Sequence, residues 1–175
     1  KLLVAGNGGS ASDSEHIVGE LMKSFMFERK IQKKYADELV RLYGDEGVAL
    51  SKKLEGTLCS IPLTSMPALS TAFINDVDPA LTFAQMLYGY GREGDCFLGI
   101  STSGNSKNIL YALQVAKAKG ITTIGLTGEG GGKMKELCDI TIQVPEKETF
   151  MIQELHLPIY HCLCAMLEAD FFEEK

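Results

Sequence analysis

Apolar positions along this 175-residue chain follow two rhythms. Short runs rich in Val, Ile and Leu fall at residues 2–5, 57–62, 96–100, 122–126 and 140–144. Runs of that length and kind predict strands buried on both faces of a parallel sheet. Between them the spacing turns helical. It is clearest over 106–119, where Ile109, Leu113 and Ala116 share a face, Ser106 can cap the start and Gly120 can end the helix. Strand and helix alternate, so the expected fold class is α/β, a five-stranded, mostly parallel sheet with helices on both faces. Such folds bind ligands in the loops that leave the carboxyl ends of the strands. The length fits a single domain over 1–175 whose core needs no disulfides.

Residues 24–58 read differently, with 13 charged residues in 35. Ile31, Tyr35, Leu39 and Leu42 fall at helical spacing there, which predicts one amphipathic helix packed on the domain edge and ended by Gly44 and Gly47. The chain opens at Lys1 directly on an apolar run, so a further segment is expected upstream.

The formal net charge of −6 argues against a nucleic-acid binder. No apolar run approaches the roughly 20 residues that span a bilayer, so neither a membrane span nor a signal peptide is expected. Five cysteines, Cys59, Cys96, Cys138, Cys162 and Cys164, are odd in number and form no CxxC pair. Reduced thiols in a cytoplasmic protein fit them better than a disulfide framework or a zinc knuckle.

Two loops carry candidate chemistry. Gly6-Asn7-Gly8-Gly9-Ser10-Ala11-Ser12-Asp13 follows the first strand and runs into a helix. Glycines let the backbone approach a ligand and aim amide N–H groups at an anion, and the helix N-terminus favours negative charge. A plain tight turn with Ser10 and Asp13 as a capping box is the alternative. The loop also fits a loose dinucleotide pattern, but no acidic residue follows a second strand at the required distance, which disfavours a nicotinamide cofactor. The third strand ends in Ser101-Thr102-Ser103-Gly104-Asn105-Ser106, four hydroxyls in six residues at the next helix start. Beside the first loop these make a phosphate cradle. The glycine run 128–132 reads as a flexible turn.

His16 and Glu20 stand four apart on the helix after the first loop, on one face and about 6 Å apart along the axis. All three histidines lie there or on the last helix, with Gln153, His156 and His161. Imidazole and carboxylate together suit proton transfer near neutral pH. Gln153 and His161 are eight positions apart, about 12 Å along a straight helix, too far for one metal ion. Either Pro158 bends or breaks the helix and brings them closer, or the two serve one site from different copies, which predicts an oligomer. His156 lies off this face and reads as a packing or interface histidine.

The series GNGGSASD, His16-x-x-x-Glu20-Leu21, Asn75-Asp76, GISTSGNS, LTGEGGG, IQELH and His161 resembles the sugar isomerase (SIS) family, and within it the phosphoheptose isomerases. The resemblance covers nearly the whole chain except 24–58. It implies a flavodoxin-like five-stranded parallel sheet, an additional helix upstream of Lys1, and a homotetramer with active sites between subunits. It makes Asn7, Gly8, Gly9 and Ser10 substrate contacts and Ser101, Thr102, Ser103 and Ser106 the phosphate cradle, with Asn75 and Asp76 touching the sugar. His16, Glu20, Gln153 and His161 match zinc-binding positions, Glu20 and Gln153 also reach substrate, and Glu20 and His161 match the acid/base pair. The reaction implied is aldose–ketose isomerisation of sedoheptulose 7-phosphate to a D-glycero-D-manno-heptose 7-phosphate through an enediol.

Three departures bear on the substrate. Residues 24–58 lengthen the region before the second strand, Ser24 stands where the resemblance leads one to expect arginine, and Phe150-Met151 replaces a more polar pair. Lost guanidinium groups mean lost contacts to sugar or phosphate. An isomerase of another sugar phosphate and a non-catalytic SIS module that senses a phosphosugar or binds a partner protein therefore stay open. Amino-sugar isomerases and deglycases, which carry paired SIS domains, are disfavoured.

Overall fold

The computed structural model describes residues 1–172; residues 173–175, which the expected domain includes, lie outside the described residues. One sheet holds β1 Leu2–Ala5, β2 Ser60–Pro62, β3 Cys96–Ile100, β4 Thr122–Thr127 and β5 Ile140–Gln143. Every neighbouring pair is parallel, in the order β2-β1-β3-β4-β5. This is the flavodoxin-like order, whose direction reverses between β1 and β3 and opens the ligand crevice there. Residues 57–59 lead into β2 without joining it. Burial on both faces holds for the central strands but not for the outer two: β5 is exposed or half-buried throughout and Ile140 faces solvent. An outer strand has one neighbour, which also lets β2 end in Pro62, a residue without a backbone donor.

Eight α-helices complete the described fold: α1 Gly9–Met22, α2 Lys33–Tyr43, α3 Asp45–Lys53, α4 Pro67–Asp76, α5 Thr82–Tyr90, α6 Lys107–Ala118, α7 Met134–Leu137 and α8 Thr149–Phe172. Strand side chains alternate between two cores. Leu3, Ala5 and Phe97 pack with Phe83, Met86 and Leu87 of α5 and Ile109 and Leu113 of α6. Val4, Leu98 and Ile100 pack with Ile17 and Leu21 of α1 and Tyr160 and Cys164 of α8. Pro158 does not break the last helix: α8 runs for 24 residues through it. Ile152, His156, Tyr160 and Cys164, buried at four-residue steps, seat the helix on the domain and override the proline.

The charged stretch forms two helices, where the sequence pattern predicts one. Gly44, at φ 56°, closes α2 through its N–H to the Val40 carbonyl and opens α3. Gly47 ends nothing. It sits buried inside α3, where an added Cβ would run into the Leu39 carbonyl, so it is the close crossing point of the two helices. Helix α2 has no buried residue and packs chiefly on α3 instead of the domain edge. The hairpin is tied down at its base, where the Gly56 N–H donates to the Arg29 carbonyl at 2.8 Å and the Ser24 N–H to the Glu55 carboxylate at 2.6 Å.

Candidate active site

The two expected phosphate loops leave adjacent strands, β1 and β3, and are joined side chain to side chain. Asn7 donates to Asn108 Oδ1 at 3.0 Å and Asn108 donates back to Asn7 Oδ1 at 2.8 Å, a reciprocal amide pair. Asn108, in the first turn of α6, is a site residue that the motif reading misses. Gly8 takes φ 56° and precedes α1 with no side-chain cap. The alternative reading, a capping box of Ser10 and Asp13, is therefore not what forms. Ser10 is buried inside the helix, its carbonyl accepts from the Ser14 hydroxyl, and Asp13 turns to Tyr160.

In the second loop the Ser101 and Ser106 hydroxyls pair at 2.8 Å, and Ser101 is buried. Ser106 stands at the cap position of α6, but its hydroxyl serves Ser101 rather than the helix amides. Ser103 Oγ accepts from the Asn105 N–H at 3.2 Å. The glycine run is not a free turn. The Gly128 N–H donates to the Thr102 carbonyl, the Lys133 N–H to Asn105 Oδ1 and the Met134 N–H to the Gly104 carbonyl, each at 3.1 Å. Gly104, at φ 64°, faces Gly131 and Gly132 so closely that any Cβ would collide with their backbone. The run thus buttresses the hydroxyl loop.

His16, Glu20 and His161 meet between α1 and α8. His16 Nε2 lies 3.3 Å from Glu20 Oε1, and the His16 and His161 rings meet edge to face at 5.0 Å between centroids. Lys23 donates to Glu20 Oε2 at 2.9 Å. Burial pushes the Glu20 carboxyl upward, but the Lys23 hydrogen bond and charge, together with His16, outweigh it and hold the pKa below its ordinary value. A carboxylate so held is ionised and able to accept a proton. Tyr160, buried, sets its hydroxyl 3.0 Å from His16 Nδ1 and donates to Asp13 Oδ1 at 3.4 Å. Burial, with the Asp13 charge, pushes the Tyr160 pKa up. Burial likewise raises that of Asp13, against the Tyr160 hydrogen bond and His16. His156 is fully buried in α8, as a packing residue should be, and burial lowers its pKa.

The remaining expected residues stand apart. Gln153 lies on the first loop: a Cβ on Gly9 would be 2.5 Å from Gln153 Nε2. Asn75 donates to Asp76 Oδ1 at 2.8 Å, and both are exposed at the end of α4. The donors His16, Glu20 and His161 suit zinc in kind, two imidazoles and a carboxylate, with His161 Nε2 buried and unpartnered. The geometry does not close on an ion. Among the described residues, no three His, Cys, Asp or Glu side chains form a group that could hold one.

A family model described as the SIS domain matches residues 68–167. The phosphoheptose isomerase of Aneurinibacillus thermoaerophilus is 43% identical over 175 residues, all of this chain and 75% of that protein. That match includes residues 24–58. Phosphoheptose isomerase 2 of Campylobacter jejuni is 44% identical over 172 residues, 98% of this chain and 73% of its own. The solved phosphoheptose isomerase of Neisseria gonorrhoeae superposes with a TM-score of 0.76 at 30% identity, covering 97% of this chain and 76% of that one. The structure of a phosphoheptose isomerase from Francisella tularensis gives 0.73 at 30% identity, with 96% and 75% covered.

Proposed function

The chain belongs to the SIS domain family, and we propose that it is an aldose–ketose isomerase that interconverts sedoheptulose 7-phosphate and D-glycero-D-manno-heptose 7-phosphate. Its similarity to phosphoheptose isomerases over its whole length supports the reaction class. The observation that carries the mechanism is the meeting of His16, Glu20 and His161, a lowered-pKa carboxylate and two imidazoles drawn from opposite ends of the chain.

The hydroxyls of Ser101, Thr102, Ser103 and Ser106, with the backbone of Asn7, Gly8, Gly9 and Ser10, hold the phosphate. Glu20 takes the proton from the carbon beside the carbonyl; the C–H electrons form the enediol double bond while the carbonyl oxygen is protonated by His161. A proton then returns to the former carbonyl carbon while one leaves the hydroxyl of the carbon first deprotonated, whose oxygen becomes the new carbonyl, which completes the isomerisation.

Within one copy these groups fall into two sets. Glu20 is eleven residues beyond Gly9 along α1, about 16 Å, and His161 is about 12 Å along α8 from Gln153. A homotetramer with sites between subunits joins the loops and Gln153 of one copy to the acid/base set of another, and Asn75 and Asp76, exposed on α4, reach the sugar across that boundary. Five free cysteines favour a reducing cytoplasm. No described helix is long and apolar enough to cross a membrane.

The test is proton exchange followed by NMR in D₂O with sedoheptulose 7-phosphate, with and without zinc. Aldose signals with deuterium at the carbon beside the carbonyl are expected. Sugar-phosphate binding by calorimetry without conversion or exchange would overturn the isomerase in favour of a sensing module.

A further inference from the structure

The charged stretch 24–58 takes no part in the proposed reaction, yet its base grips one residue that reaches the site. Ser24 Oγ accepts from the Arg29 N–H at 3.0 Å, and the Arg29 carbonyl accepts from the Gly56 N–H at 2.8 Å. Ser24 is itself tied to Glu55, so the backbone of Arg29 is held from both ends of the α2–α3 hairpin. The side chain, 1% exposed, turns inward. Nη1 and Nη2 donate to the Leu21 and Glu20 carbonyls at 2.8 and 3.0 Å, and Nε donates to Glu168 Oε1 at 2.6 Å.

The last carbonyls of a helix have no partner within it. Helix α1 has no basic residue in its last turn and is followed by Lys23 in extended conformation, so the guanidinium supplies a cap that the helix lacks. That last turn carries Glu20. Glu168, fully buried on α8, stands seven residues beyond His161, two turns along the same face. Arg29 thus bridges the two helices whose facing side chains make the acid/base set.

We infer that Arg29, held by the α2–α3 hairpin, is a positioning residue for Glu20: it fixes the last turn of α1 against α8 and so sets the distance from Glu20 to His161. A planar guanidinium, with five donors in a rigid fork, serves two successive carbonyls and a carboxylate at once, which a lysine ammonium does not match. A general base must lie within hydrogen-bond reach of the proton it takes, and a misplacement of about 1 Å costs about 100-fold in rate. The hairpin is then a brace for the proposed base.

The kinetic consequence rests on the isomerase reading; the brace itself is observable without turnover. Arg29→Lys keeps the buried charge and loses the fork. Arg29→Met with Glu168→Leu replaces the pair by apolar side chains, a change that buried ion pairs tolerate, and so separates positioning from stability. The measurements are kcat and KM on sedoheptulose 7-phosphate, the urea midpoint, and hydrogen–deuterium exchange along α1. The double variant is expected to have a higher urea midpoint than Arg29→Ala. In it and in Arg29→Lys, kcat is expected to fall about 100-fold with KM unchanged, while amides 20–22 exchange faster and amides 10–16 do not change. Glu55→Ala, which loosens the hairpin base from outside, is expected to shift kcat and exchange in the same direction by a smaller factor. A folded double variant with kcat near wild type would overturn the inference, as would lost activity with exchange at 20–22 unaltered. Glu55→Ala equal to wild type in both readouts would overturn the part given to the hairpin. A wild type inactive on the sugar phosphate, with exchange at 20–22 faster in both Arg29 variants, would overturn the isomerase reading and leave the brace standing.

Discussion

Arg29 and Glu168 form a fully buried ion pair, Nε to Oε1 at 2.6 Å, between residues 139 apart in the chain. Each partner is otherwise satisfied. Glu168 also accepts from the Phe25 and Met26 N–H groups at 2.8 and 2.6 Å. The guanidinium donates to the Leu21 and Glu20 carbonyls at 2.8 and 3.0 Å and lies over the Phe172 ring at 5.0 Å. Arg29 therefore caps the end of α1 that bears Glu20 and anchors the base of the α2–α3 hairpin to α8.

Removing one partner leaves the other charge buried and alone, at a cost of about 3–5 kcal/mol. Arg29→Ala and Glu168→Ala should each lower stability by that amount in urea unfolding. Arg29→Met with Glu168→Leu should lose less than the sum of the two single truncations. Additive losses would mean that the pair is not coupled.

Glu168 also sets a pH dependence. Burial pushes its carboxyl up, but the Phe25 and Met26 N–H groups and Arg29 outweigh it and hold the pKa below the ordinary 4.5. A carboxyl lowered by folding stabilises the protein above its unfolded pKa, and that stability drains away as pH falls below about 4.5 toward the folded value. Unfolding free energy measured from pH 7 down to pH 3 should fall less steeply in Glu168→Gln, which starts from a lower value at pH 7. Parallel curves would remove Glu168 from the acid response.

The Asn7–Asn108 pair is predicted to set the spacing of the phosphate loops. Asn108→Ala removes both hydrogen bonds at a net cost of about 1 kcal/mol, roughly fivefold in binding. KM for the sugar phosphate should rise by that factor with kcat near wild type. An unchanged KM would make the pair a stability feature alone.

What the sequence made legible follows how local each feature is. Strand bounds at 2–5 and 96–100 and the two phosphate loops could be read because glycines, hydroxyls and unbroken apolar runs act within a few neighbours. Gly47 and Pro158 were misleading for the complementary reason: crossing of α2 against α3 and seating of α8 decide their roles, and neither contact is local. Ser106 sits at its expected cap position, yet Ser101 five residues back claims its hydroxyl. Arg29, Glu168, Asn108, Asp13 and Tyr160 have partners 101 to 147 residues away or act through them, so no spacing pattern marks them.

Sharing of the site between copies predicts complementation. Glu20→Gln should abolish turnover while leaving folding and phosphosugar binding intact, and His161→Ala should do the same. Near-normal turnover in either would remove that residue from the acid/base pair. Gln153→Ala, in the other half of the site, should also be inactive. When separately inactive Glu20→Gln and Gln153→Ala chains are unfolded together and refolded as a mixture, some sites receive Glu20 from one copy and Gln153 from another. Those sites are complete, so the mixture should regain turnover that neither variant has alone. If Glu20 and Gln153 serve one site from the same copy, every site in the mixture lacks one of them and no activity returns. A mixture as inactive as its components, with mixed oligomers demonstrated by native mass spectrometry, would exclude the shared site.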